Sequence, residues 1–349
     1  MQNFFPQLKN RIYFENSGGT QLPTQVTDNV IDFIKNNYIQ PGGFTKKSRK
    51  TGEIVEKSKN FVNKMINNEK GKIMFSSSAT QIALNVSSSL SFEKNDEIIL
   101  TNFSHESAIG CFEKIPNVKI KWWKIKSDFT IDYQELFDLV NEKTKLIVLT
   151  HVSNVIGNIL NIKMITEKIR KINKECKIYV DGVAYLAHGI IDVQDWDIDF
   201  YSFSFYKFLG LRISAIYIKN DTVVNMKNLN HYFIRDQDKK LEIGGIQYEQ
   251  CSSLLGIQKY LCELTNDINF SRETVIKNFN NFMQKENNMI DYFDAKFKIL
   301  SGKININIIT DYKNKRVPIF SMYSDEIPLD KICLFLNKNH IECKTGNFY

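Results

Sequence analysis

Two short runs that are apolar almost throughout, KIYVD ending at Asp181 and DFYSFS ending at Ser204, constrain the fold of this chain more than any other part of its sequence. Runs of that length bounded by polar residues read as buried strands, and strands buried on both faces belong to a parallel sheet covered by helices. Ligands of such sheets bind in the crevice outside the carboxyl ends of the strands. Asp181 therefore faces one crevice with Lys207, which follows three residues after Ser204. Tyr206, Phe208 and Leu209 flank that lysine with apolar groups, which desolvate an ammonium and lower its pKa from about 10.4. A neutral lysine amine is a nucleophile that forms imines with carbonyl compounds. The plain alternative for such a pair is a snorkelling surface lysine and a loop-capping aspartate.

An imine-forming lysine with an acid for a ring nitrogen is the minimal signature of a pyridoxal phosphate enzyme. The stretch resembles the class V aminotransferase family of fold type I pyridoxal phosphate enzymes, and most closely its cysteine desulfurase-like branch. There an Asp at a strand end precedes the Schiff-base lysine by some 26 positions, the spacing of Asp181 and Lys207.

Other strings carry the resemblance in the same order. KIMFSSSATQIALNVSSSLSF reads as a strand entering small hydroxyl residues and then a helix, a geometry that aims backbone amides at an anion. The family holds its cofactor phosphate at the matching turn, which implies that role for Ser78, Ala79 and Thr80. DEIILT leads into FSHESAIGCF, and His105 stands where the family has a histidine stacked on the pyridine face. THVSNVIG is nearly the family's own string and implies that Asn154 lies near the substrate carboxylate and the ring hydroxyl. Ser204 and Tyr206 supply hydroxyls for the phosphate, and Gly18, Gly19 and Thr20 would line the substrate side. In desulfurases the turn matching Gly244 and Gly245 reads GT and reaches the partner subunit's phosphate, so the resemblance implies a homodimer with shared sites and a backbone role for Gly245.

Four departures accompany the resemblance. Ala184 replaces a glutamine that donates to the ring hydroxyl in many members, and Tyr206 replaces the histidine before the lysine. Aligned on Thr345 and Gly346, the desulfurase cysteine falls on Tyr349, while Cys343 lies inside a presumed strand and reads as a structural thiol. The sequence ends at Tyr349, short of the strand and helix that carry the family's carboxylate-binding arginine.

With 349 residues, 43% hydrophobic and 24% charged, the chain has room for a large and a smaller domain of ordinary globular composition. No apolar run reaches membrane-spanning length and the opening lacks the pattern of a signal peptide, so the expectation is a cytoplasmic protein. Its six cysteines are scattered without metal spacing and read as reduced thiols, with no metal site expected. The net charge of +7 comes from dispersed lysines without a basic stripe, so nucleic acid is not an expected partner.

The expected fold is α/β, fold type I. Residues 12–250 form a large cofactor-binding domain with a mainly parallel seven-stranded sheet flanked by helices, and residues 1–11 and 251–349 a smaller α+β domain. Near the N-terminus a helix introduced by Pro23 and Thr24 should bury Val26, Val30, Ile31 and Ile34, and GGFTKKSR should form a loop. Towards the end the pattern predicts a helix over Arg272–Ile290, strands at Phe297–Leu300 and Arg316–Tyr323, a helix over Pro328–Lys338 and a strand over His340–Lys344. The implied activity is that of a pyridoxal phosphate enzyme acting on an amino acid, with cysteine desulfurase-like C–S lyase or sulfurtransferase chemistry and a sulfur acceptor as partner. The alternatives are transamination or another class V activity, or a degenerate member kept as a binding or scaffold protein.

Overall fold

In the computed structural model, residues 2–301, 303 and 305–346 are described. The strands are β1 (Ile12–Tyr13), β2 (Lys72–Ser76), β3 (Glu97–Thr101), β4 (Lys119–Trp123), β5 (Thr144–Thr150), β6 (Lys177–Asp181), β7 (Phe200–Ser204), β8 (Ser214–Ile218), β9 (Asn307–Ile309), β10 (Ser321–Tyr323) and β11 (Ile341–Glu342). The helices are α1 (Thr24–Asn37), α2 (Lys46–Ile66), α3 (Ala79–Ser89), α4 (Glu106–Glu113), α5 (Tyr133–Leu139), α6 (Ile162–Ile172), α7 (Asn220–Val224), α8 (Tyr248–Thr265), α9 (Arg272–Ser301) and α10 (Leu329–Lys338). None of these helices is long and apolar enough to cross a membrane.

Seven strands form one sheet in the order β2-β8-β7-β6-β5-β3-β4. All pairs are parallel except those of β8, which runs antiparallel to both β2 and β7. The central strands carry side chains buried on both faces, as their unbroken apolar spelling requires. Helices therefore cover both sides. One core joins the sheet to α2, α5, α6, α8 and α9 through residues such as Phe61, Leu136, Ile165, Leu254 and Phe279. The other joins it to α3, α4 and α7 through Ile82, Phe112 and Val223.

The helix beginning at Tyr248 packs into the first of these cores. Its contact with α1 is very close: a Cβ on Gly256 would sit 2.5 Å from Val26 Cα and 2.7 Å from Gln25 O. Both clashes are with backbone, which cannot rotate aside as a side chain can. Gly256→Val should therefore destabilise the chain by about 3 kcal/mol, read as a drop in the urea midpoint. An unchanged midpoint would show that the two helices do not meet this way.

That crossing also decides which face of α1 is inside. Val26, Phe33 and Asn37 are buried, whereas Ile31 and Ile34, expected in the core, are about half exposed at 49% and 51%. The GGFTKKSR segment is helical from Lys46, because Thr45 caps α2 by accepting from Ser48 N at 3.1 Å. Phe297–Leu300 is not a strand but the last turns of α9. Phe293 and Phe297, four residues apart, continue one helical face, and Phe293 stacks on Phe320 with centroids 3.8 Å apart.

The two ends of the chain meet in a small sheet, with β1 parallel to β11 and Arg11 Nε donating to Glu342 Oε1 at 2.6 Å. The Tyr13 hydroxyl reaches on to Gly19 O at 2.7 Å. This ties the terminal sheet to the loop that leads towards Lys207.

Candidate active site

β6 and β7 are neighbours in the sheet, with Asp181 in register with Ser202 and with Thr150 of β5. Past Ser204 the chain makes one short turn over Phe205–Lys207 and reverses, Phe208 N and Gly210 N both donating to Phe205 O at 2.8 and 2.9 Å. The reversal needs Leu209 in the left-handed region at φ 62°, a strained conformation for a branched side chain. Thr20 holds it there: its Oγ1 accepts from Leu209 N at 2.7 Å and its backbone N–H donates to Tyr206 O at 2.9 Å. Gly19 and Thr20 thus brace the lysine turn and do not themselves line the cavity in front of it.

That cavity has a volume of about 200 Å3 and opens at the carboxyl ends of the strands. Asp181 and Lys207 both line it, together with His105, Asn154 and Ala184. Ser78, Ala79 and Thr80 form one end of its wall, and Ser204 and Tyr206 lie beside them. Ser78 caps α3, its Oγ accepting from Gln81 N at 3.1 Å. The amides of Ala79 and Thr80 precede the first intrahelical bond, from Ile82 N to Ser78 O, and so belong to the donors that a helix leaves for an anion. The Ser204 hydroxyl is 2.5 Å from that of Ser214 across the β7–β8 pair.

Burial governs the charges. Asp181 is only 5% exposed; desolvation pushes its carboxyl up, against the pull of the Val183 N–H, Lys207 and His105. Lys207 is pushed down by desolvation, and Asp181 opposes this. Each partner thus leans towards its neutral form while feeling the charge of the other, which places them in a single electrostatic unit. His105 is also lowered, chiefly by burial, with Asp181 raising it and Lys207 lowering it further. Its Nδ1 accepts from Ser107 N at 3.1 Å as the cap of α4, which leaves the ring proton on Nε2.

Beneath the site, His151 N donates to Asp181 O at 2.8 Å. Its ring stacks on Tyr185 with centroids 3.5 Å apart, and its Nδ1 is 2.9 Å from the Tyr201 hydroxyl. Burial lowers its pKa to about 3, so it packs as a neutral ring. A larger opening of about 420 Å3 lies at the other ends of β6 and β7. Its walls neutralise themselves, since Arg170 and Lys177 both pair with Asp199 and Lys219 with Asp197.

The donor set fits pyridoxal phosphate. The first amides of α3 and the hydroxyls of Ser78, Ser204 and Tyr206 stand at one end, the buried Asp181 carboxylate lies on the β6 side, and the Lys207 amine lines the same cavity. The sequence itself decides the family, for it matches the model described as "Aminotransferase class-V" over residues 12–348. The chain belongs to the class V aminotransferases.

Relatives of this class V aminotransferase include an aminotransferase-like protein of Gibberella zeae, 33% identical over 74% of this chain and 67% of that protein. A cysteine desulfurase-like protein of Aspergillus flavus is 29% identical over 69% of this chain and 58% of its own length. A probable cysteine desulfurase of Ureaplasma parvum is 30% identical over 70% of this chain and 66% of its own. The matches therefore span between about three fifths and two thirds of these relatives. Among solved structures, the cysteine desulfurase of Thermococcus onnurineus superposes with a TM-score of 0.87 over 98% of this chain and 86% of that one, at 16% identity. The cystine C–S lyase C-DES superposes with a TM-score of 0.79 over 98% of this chain and 91% of that one, at 18% identity. These structural likenesses show that the class V aminotransferase has the fold of the desulfurases.

Of the residues singled out from sequence, Gly245 is the one cofactor candidate outside the cavity wall. It lies on an exposed loop in which a Cβ would meet nothing within 4 Å. Tyr349 lies outside the described residues. Cys343 is half-buried, with its sulfur 3.3 Å from that of Cys333 on α10, a meeting that their scattered positions did not suggest. The sequence reading missed Ser107, Thr150, Val152, Val183 and Arg212, which also line the cavity. Ser107 had a signal in the spelling HES, where a hydroxyl two residues past a cap meets the capping ring. Arg212 had none.

Proposed function

We propose that this class V aminotransferase binds pyridoxal phosphate in the cavity and cleaves the C–S bond of an amino acid substrate, cysteine being the first candidate. The reading rests on one observation: the Lys207 amine and the Asp181 carboxylate, 26 residues apart, line a single cavity and shift each other's titration. The names of the Aspergillus and Ureaplasma relatives favour C–S chemistry, and that of the Gibberella relative favours transamination as a second reading.

Bound there, pyridoxal phosphate supplies an aldehyde for amines and a ring that withdraws electrons from the substrate's Cα. In this assignment Lys207 Nζ, pushed towards its neutral form by desolvation, is the attachment point and the base that takes and returns the Cα proton. Asp181 keeps a negative charge against the ring nitrogen. His105 covers the ring face with an uncharged imidazole whose orientation is fixed by Ser107 N. Asn154 faces the substrate carboxylate and the ring hydroxyl, while the first amides of α3 with Ser78, Ser204 and Tyr206 hold the phosphate.

A homodimer goes with this reading. Tyr232, Phe233 and Ile243 are exposed at 92%, 65% and 55% on the loop that carries Gly245, and a second copy would cover them and bring that glycine to its neighbour's site. Sedimentation as a monomer at micromolar concentration would rule this out. A sulfur acceptor is the remaining partner of a desulfurase reading.

The test is turnover of L-cysteine with added pyridoxal phosphate. Alanine and transferable sulfur indicate desulfuration, whereas pyruvate, ammonia and sulfide indicate β-elimination; both support C–S cleavage. Transfer of the amino group to a 2-oxo acid, with sulfur retained, establishes the second reading. Turnover of no amino acid overturns both.

A further inference from the structure

Arg212 is an arginine in the cavity wall that the roles above leave unused. It lies at the rim, exposed to solvent, two residues before β8 begins at Ser214. Its guanidinium carbon sits 5.3 Å from the centroid of the Tyr206 ring, and no described residue forms an ion pair with it. The more buried arginines are differently placed. Arg170 is paired with Asp199, Arg316 with Asp294, and Arg272 donates to Ile191 O and Met65 O.

Strand order fixes which end of the cavity Arg212 serves. β8 lies between β2 and β7, with Ser214 in register with Ser76 on one side and Ser204 on the other. Ser76 is the last residue of β2, and two residues later Ser78 caps α3. Arg212, the α3 amides, Ser204 and Tyr206 therefore gather at the β2–β8–β7 side. Asp181 stands beyond β7, at the end of β6.

Charge balance makes the same assignment. A phosphate monoester carries close to two negative charges at neutral pH, and a helix N-terminus offsets about half of one. Within the cavity wall only Lys207, His105 and Arg212 can be cationic. Lys207 must be neutral to act as a nucleophile, and His105 is turned to its own helix by the cap on Ser107 N. Guanidinium groups remain charged at all working pH values and bind phosphate through two parallel N–H donors.

We propose that Arg212 is the cation that holds the phosphate of pyridoxal phosphate, with Tyr206 as the platform on which its guanidinium is stacked and aimed. This rests on the cofactor reading above and goes beyond it by separating phosphate recognition from capture of the aldehyde. Because the arginine is at the rim, its contribution is screened by salt.

The test compares dissociation constants for pyridoxal phosphate and for pyridoxal, which lacks the phosphate, by the absorbance change on binding to wild type, Arg212→Ala and Arg212→Lys. The expected result is that Arg212→Ala weakens pyridoxal phosphate by about 10- to 100-fold, leaves pyridoxal unchanged and abolishes competition by inorganic phosphate, while Arg212→Lys recovers part of the affinity. Equal affinity of wild type and Arg212→Ala for pyridoxal phosphate, or an equal loss for both ligands, overturns the assignment. So does an Arg212→Ala protein that binds the cofactor normally but needs far more amino acid to change its spectrum, which would make Arg212 a substrate-carboxylate residue. Failure of wild type to bind either aldehyde would instead bring down the functional reading on which the assignment rests.

Discussion

Lys207→Ala is expected to lower amino acid turnover by about 10²- to 10⁴-fold, the range that a positioned proton-transfer group contributes, while leaving the fold intact. Activity falls because Nζ is the one amine lining the cavity that desolvation holds towards its neutral, nucleophilic form. The fold survives because the same burial that makes the amine reactive makes it a burden on stability. The strained turn at Leu209 is held by Thr20 through backbone groups, and the substitution does not touch them. A melting temperature equal to or above that of wild type, with turnover gone, is the combined signature. Loss of turnover together with a large fall in melting temperature would reveal a structural lysine instead.

Asp181→Asn should cost about 10²- to 10³-fold in turnover, the scale seen when one preorganised electrostatic partner is removed. The substitution is nearly isosteric, and an amide oxygen can still accept the Val183 N–H that Oδ1 accepts at 2.9 Å. What disappears is the negative charge. Asp181 raises the pKa of Lys207 against desolvation, so without it the amine loses its proton at still lower pH. The acid limb of the pH profile for cofactor attachment should therefore move to lower pH. Unfolding resistance should hold or rise, since a carboxylate that is 5% exposed is costly to bury. A variant with wild-type turnover would remove Asp181 from the site. A limb moving to higher pH would contradict its coupling to Lys207.

The parts of this site that were legible in the sequence are those written at the ends of parallel strands. Asp181 closes β6 and Lys207 follows β7 because an unbroken apolar run has to stop where the sheet stops, and in a parallel sheet all those ends face one way. Ser78 to Thr80 and His105 follow the same logic at β2 and β3. Arg212 escaped because it reaches the cavity on β8, the strand that runs the opposite way, where residues ahead of the strand rather than after it face the site. The misread face of α1 depends on Gly256, 230 positions after Val26, and no local periodicity records a helix crossing set by a distant glycine. Phe297–Leu300 looked like a strand because four residues are too few to separate the two periods, and the aromatic pair that prolongs α9 is completed by Phe320 from another segment. The Cys333–Cys343 contact likewise arises only when the turn after α10 folds β11 back.

In the proposed assignment one amine of this chain, Lys207 Nζ, captures the cofactor's aldehyde. Incubation with pyridoxal phosphate, reduction with borohydride and peptide mapping test it most directly. The expected result is a single stoichiometric pyridoxyl adduct on the peptide containing Lys207, absent from Lys207→Ala. A label on another lysine, or no label at all from a folded protein, would contradict it.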